Sequence, residues 1–203
     1  MLRFTISLLF SVLLFVTQGC AQTRYNYKNE TKDLYNTIQK EFYLSDINYY
    51  KESLNEKENK NKVSYLWPLC AMFEASNEMG KVTGHFDTFE NIFTIIKKYH
   101  NKHAPAPGYA SYSMEFGGGS RFYDDNQWIG ITAMDAYFRT KDNRWLATGK
   151  EIYQFMMTGF DTLTGGGLYW QEDQKNSKNT CSNGPGVLLA LRLYEATHQT
   201  TYS

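Results

Sequence analysis

Asp124 and Asp125 stand side by side in the run Phe122-Tyr123-Asp124-Asp125-Asn126-Gln127-Trp128. Adjacent acids leaving a helix start can hold their carboxyls about 5 Å apart, the separation used by retaining glycosidases. Two carboxylates that close do not both ionise easily, so one pKa rises and leaves a protonated acid beside an ionised nucleophile. The pair equally suits a structural duty, since Asp caps helix N-termini and its charge complements the helix dipole. Its setting favours chemistry: it closes a Gly-rich loop, neighbours Tyr123 and Trp128, and opens an apolar helix.

Other residue groups narrow the chemistry. Gly165-Gly166-Gly167 precedes Leu168-Tyr169-Trp170; it reads either as a flexible turn before a packed Trp170 or as backbone approaching a sugar on which Trp170 stacks. No Gly-Lys-Ser/Thr follows either glycine cluster, so neither is a phosphate loop. Ser182-Asn183-Gly184-Pro185 has the form of a capped helix start; Asn183 is expected as a polar substrate contact, with Tyr112 and Trp67 as further candidates behind it, Trp67 reading more readily as core. His100 and His103 flank a Pro-containing loop without a carboxylate or Cys partner, so no metal site and no cofactor are expected.

The chain has 203 residues, 21 basic and 21 acidic, with 16% aromatic and 42% hydrophobic residues. A neutral balance excludes a nucleic-acid binder that works by bulk positive charge, and the apolar content excludes a disordered chain. Residues 1–21 carry Arg3 and an apolar run from Leu8 to Val16, too short to span a bilayer and proportioned as a signal peptide. Gly19-Cys20 follows in the manner of a bacterial lipobox, which would make Cys20 a lipidated N-terminus; cleavage after Ala21 and plain secretion is the alternative. Both place the mature protein outside the cytoplasm, as a surface or outer-membrane lipoprotein or in the periplasm or medium. Cys70 and Cys181 remain, able to form one disulfide there, though the apolar surroundings of Cys70 suit a small buried residue.

Residues 22–203 form one domain of helices and long loops. A one-sided helix is predicted over Thr31–Tyr43 from Leu34, Ile38 and Phe42, a buried one from near Trp67, and an amphipathic one over Phe86–Tyr99. Another buried helix follows at Asn126–Arg139, a striped one at Trp145–Thr158, and an apolar one at Val187–Tyr194. Alternation of buried and striped helices is what an all-α toroid needs, because inner helices touch neighbours on all sides and outer ones face water. Tyr137, Thr140 and Trp145 are echoed by Tyr194, Thr197 and Tyr202, 57 residues on, as a weak internal repeat. The long connections, about Asn101–Tyr123 and Phe160–Gly186, each lead into an inner helix and meet on one face, where a site is expected.

Three motifs in order carry a family resemblance: Phe122 to Ile129, then Gly165 to Trp170, then Asn179 to Pro185. Over about Ser64–Tyr202 the chain resembles glycoside hydrolase family 76, the endo-α-1,6-mannanases, which also include transglycosylases of fungal cell-wall anchors. The resemblance implies an (α/α)6 barrel and retaining hydrolysis of α-1,6-mannosidic bonds, with α-mannan as partner. It implies Asp124 as nucleophile and Asp125 as acid/base, with Tyr123, Asn126, Trp128, Trp170 and Asn183 near the sugar. Six of the barrel's twelve helices are read here, so the chain is expected to be an incomplete, N-terminal half. A non-catalytic glycan-binding lipoprotein and an (α/α)6 enzyme for another linkage are the competing readings.

Overall fold

The computed structural model describes residues 26–55, 57 and 60–202. The chain divides into two units between Tyr35 and Asn36. The leader and Cys20 lie outside the described residues. Helix α1, Tyr27–Phe42, runs through the boundary and begins a turn earlier than its apolar spacing suggests, because Asn26 accepts the Asn29 N–H on its side chain at 3.3 Å.

Five further helices follow among the described residues: α2 (Leu66–Thr83), α3 (Asp87–Ile96), α4 (Tyr123–Thr140), α5 (Asn143–Met157) and α6 (Thr180–Thr197). The connections carry short antiparallel hairpins, β1–β2 (Tyr43–Leu44 with Tyr49–Tyr50), β3–β4 (His100–Asn101 with Gly108–Tyr109) and β5–β6 (Phe160–Asp161 with Gly167–Leu168). The fold is all-α in its core, with the inner and outer helices of a partial (α/α)6 toroid. α4 packs on α2, α5 and α6, while α3 covers α2. Among the described residues no helix is long and apolar enough to cross a membrane.

The weak repeat of the sequence is strict in three dimensions. Leu66, Tyr123 and Thr180 open three inner helices of 18 residues each, a constant step of 57. Each ends on a threonine, Thr83, Thr140 or Thr197, whose hydroxyl donates to the carbonyl four residues back. Each is then capped by a left-handed residue, Gly84, Lys141 or His198, whose N–H returns to Gly80, Tyr137 or Tyr194. The caps share a conformation and no residue type, and the first copy lacks the motif's aromatic residues, with Gly80 and Thr88 in their places.

Side-chain packing fills the space between layers. Phe73 of α2 stacks on Phe89 of α3 at 4.5 Å, and Trp145 of α5 closes against Phe89 and Phe93. Gly130 and Gly186 permit α4 and α6 to approach: a Cβ on Gly130 would sit 2.9 Å from Leu189 of α6, and one on Gly186 3.1 Å from Gln127 of α4 and 2.7 Å from Leu168 of β6.

α6 departs from expectation at its start. It starts at Thr180, before Ser182-Asn183, with Pro185 inside the helix. Asn183 steadies this first turn by donating from Nδ2 to the Asn179 carbonyl at 2.8 Å. Its apolar residues are not all enclosed: Ser182, Gly186, Leu189 and Leu193 are buried, but Val187 and Leu191 are 59% and 55% exposed.

Candidate active site

The N-terminal ends of the three inner helices converge on a cleft of about 740 Å³, within the range of small-ligand sites. The second residue of each helix, Trp67, Asp124 and Cys181, lines it, because the 57-residue step brings that position to the same face every time. Asp125, Trp128 and Trp170 line it as well.

The two aspartates have different environments. Asp124 is half-buried, and both oxygens are engaged: Oδ1 accepts the Asp125 N–H and Oδ2 accepts the indole N–H of Trp170, each at 3.1 Å. Asp125 is only 9% exposed. Burial, and then the charge of Asp124, push its carboxyl up to about 7. The helix N-terminus favours negative charge at both positions, yet desolvation prevails at the deeper one. Asp125 therefore holds its proton up to near-neutral pH.

Trp170 is held from several sides. Its carbonyl accepts the N–H of Tyr123, the first residue of α4, at 3.0 Å, and its own N–H donates to Ser177 at 3.1 Å. Its ring packs on Phe122 at 4.9 Å. The glycine segment before it forms the turn of β5–β6, with Gly165 and Gly167 at positive φ. The sequence places Trp170 as a sugar platform; the structure adds a hydrogen bond to Asp124.

Several residues expected at the substrate support the site instead. Asn126 is fully buried, and its amide clamps one backbone residue: Oδ1 accepts the Tyr109 N–H at 2.6 Å, while Nδ2 donates to Tyr109 at 2.9 Å and Phe122 at 2.8 Å. Asn183, 57 residues on, repeats the clamp on Leu168, accepting at 2.8 Å and donating at 3.1 Å. An amide saturated by backbone has little left for a ligand. Tyr123 is buried with its hydroxyl on Thr158 at 3.1 Å. Tyr112 stands behind Tyr65, ring centroids 5.4 Å apart, and its hydroxyl accepts the Val63 N–H.

Trp67, expected in the core, is 54% exposed on the cleft wall, while its neighbours Leu66, Leu69 and Cys70 are buried. The apolar run concealed this, because a helix start turns its second residue away from the packed face. Cys70 and Cys181 are free. The buried Cys70 thiol donates to the Asp125 carbonyl at 3.3 Å. Its pKa is pushed up by burial and by the two nearby aspartates, so it remains a neutral donor.

Arg121, not singled out by sequence, fastens the loops around the pair. It is 4% exposed and forms a two-pronged ion pair with Glu172, the Nε contact at 2.6 Å. Its Nη1 also donates to the carbonyls of Ala106 at 2.8 Å and His103 at 3.3 Å. Among the described residues no three His, Cys, Asp or Glu side chains gather where a metal could sit.

Comparison with known proteins places this geometry in context. The family model for glycosyl hydrolase family 76 matches residues 23–203. The chain is similar to a GH76 α-mannanase of Bacteroides thetaiotaomicron, at 26% identity and TM-score 0.78, over 89% of this chain and 51% of that one. It is also similar in fold to the α-1,6-mannanase of Salegentibacter, at 21% identity and TM-score 0.67, over 87% of this chain and 48% of that one. That structure is an inactive variant with two adjacent Asp-to-Asn substitutions, in complex with α-1,6-mannotriose. A D-mannose isomerase shares the fold at 14% identity and TM-score 0.68, over 89% of this chain and 52% of that one. The chain thus spans about half the length of these proteins. A search of curated proteins returns no match.

Proposed function

The chain belongs to glycosyl hydrolase family 76, and on that premise we propose that its cleft serves the retaining hydrolysis of α-1,6-mannosidic bonds. The observation that carries the reading is the adjacent aspartate pair at the cleft, in which Asp124 accepts the Asp125 N–H and the Trp170 indole N–H while the buried Asp125 keeps its proton up to about pH 7. Asp124 attacks the anomeric carbon while Asp125 gives its proton to the leaving oxygen. Asp125 then takes a proton from the water that releases the sugar from Asp124. The cleft lining contains carboxylates and aromatic rings and, among the described residues, no Lys or Arg, which suits a neutral glycan over a uronic-acid polymer. The leader, with its apolar run before Gly19-Cys20, supports export and lipidation at Cys20, hence a surface location where polysaccharide is met.

The test is product analysis on α-1,6-mannan, a β-linked mannan and a uronic-acid polymer. New reducing ends from the α-1,6 polymer alone, with the α-anomer formed first, are expected. A β-anomer as first product, or release only from another polymer, would overturn the assignment.

Trp170 offers a finer check on the nucleophile. Trp170→Phe keeps the ring on Phe122 and deletes the N–H that Asp124 accepts. A hydrogen bond to a charged group contributes about 1.5–3 kcal/mol, so kcat is expected to fall roughly tenfold or more. KM should stay within about twofold if Trp170 orients Asp124. A raised KM with unchanged kcat would assign Trp170 to sugar stacking alone.

A further inference from the structure

Glu52, Tyr65 and Trp67 form one wall of the cleft. Trp67 occupies in the first inner helix the place that Asp124 holds in the second, so its ring is directed to the cleft by the repeat itself. Leaving half of an indole in water forgoes burial that the adjacent core could provide, since a buried Trp removes 150–250 Å² from solvent. Tyr65 stands beside it at 42% exposure and is braced from behind by Tyr112. Glu52 fixes the Tyr65 backbone, accepting its N–H at 2.7 Å, and brings a carboxylate to the same cleft lining as the two rings.

Ring faces with a carboxylate at their rim match a neutral pyranose, whose C–H face packs on an aromatic ring while its hydroxyls donate to the acid. Trp170 is tied to Asp124 and Phe122, whereas the Trp67 ring is committed to neither aspartate. We propose that Glu52, Tyr65 and Trp67 form a separate sugar subsite, one that holds a neutral hexopyranose unit adjacent to the unit at the aspartate pair. The assignment rests on the glycan reading of the cleft given above and extends it to a binding role for three residues.

Calorimetric titration tests it in the full chain carrying Asp124→Asn and Asp125→Asn, with α-1,6-mannotetraose and methyl α-mannoside as ligands. Trp67→Ala should weaken the tetraose tenfold or more and leave the monosaccharide within twofold. Trp67→Phe should recover the tetraose to within about threefold, which a misfolded Trp67→Ala protein would not predict. Equal tetraose affinity with and without the ring, an equal loss for both sugars, or no tetraose binding before the ring is removed would each overturn the subsite. None of these outcomes decides whether the intact aspartate pair cleaves the bond, which product analysis reads separately.

Discussion

Replacing Asp125 by Asn is expected to abolish turnover, by on the order of 10³-fold, while making the protein more resistant to heat at pH 8. The two effects have one cause. Asp125 is buried, and its carboxyl is raised from about 3.8 to about 7. In the unfolded chain the group ionises near 3.8, so between that pH and about 7 the folded protein retains a proton that the unfolded chain has lost. Stability contributed by that proton is complete below about 3.8 and is lost as pH climbs through 7. The loss amounts to about 4 kcal/mol at most, as roughly 1.4 kcal/mol accompanies each pH unit. Asparagine is neutral throughout, so the variant should melt several degrees above the parent at pH 8 and together with it near pH 3.5. Thermal melts at the two pH values, beside the turnover assay, check this. A variant that melts lower at pH 8 would show that the carboxylate is satisfied in the folded state. In the parent, turnover should decline as pH rises through 7, because Asp125 then lacks the proton it must donate. Asp124→Asn should abolish turnover equally. It should lower the Asp125 titration only in part, since burial is the larger cause and the Asp124 charge the smaller.

Arg121→Met should produce the largest loss of stability, about 3–5 kcal/mol, the cost of removing one partner of a buried ion pair. Methionine keeps the apolar stem of arginine, but not the guanidinium carbon that lies 4.8 Å over the Phe155 ring. What disappears is the guanidinium that Glu172, Ala106 and His103 share. Glu172, one-fifth exposed, is then left largely unpaired, and the loop carbonyls lose their donor. Denaturant unfolding reads the loss. The double variant Arg121→Met, Glu172→Gln should recover part of it, because the stranded charge has gone; a double variant as unstable as the single one would assign the loss to the carbonyls.

Much of the helical layout was legible before any coordinates. The striped pattern of Asp87–Ile96 and the largely apolar run around Ile129–Ala136 follow directly from which faces meet water. Asp124 and Asp125 announced themselves as adjacent acids at a helix start. The repeat was visible only in its last two copies, since the first has Gly80 and Thr88 where the second has Tyr137 and Trp145 and the third Tyr194 and Tyr202. Backbone geometry recurs there without recurrence of side chains.

Composition and spacing alone determined the class of helical fold, the position of the acid pair and the neutral balance that turns the protein away from nucleic acid. Tertiary structure decided which polar and aromatic residues face the cleft. Asn126 and Asn183 look identical in sequence to sugar-binding amides, and became backbone clamps because loops with few ladder hydrogen bonds needed partners for Tyr109 and Leu168. Trp67 looks identical to a core residue, and became a cleft wall because its place in the helix is the one that the 57-residue step turns to the open end. Burial is a property of the assembled neighbours, so the proton on Asp125 could be assigned only once those neighbours were in place.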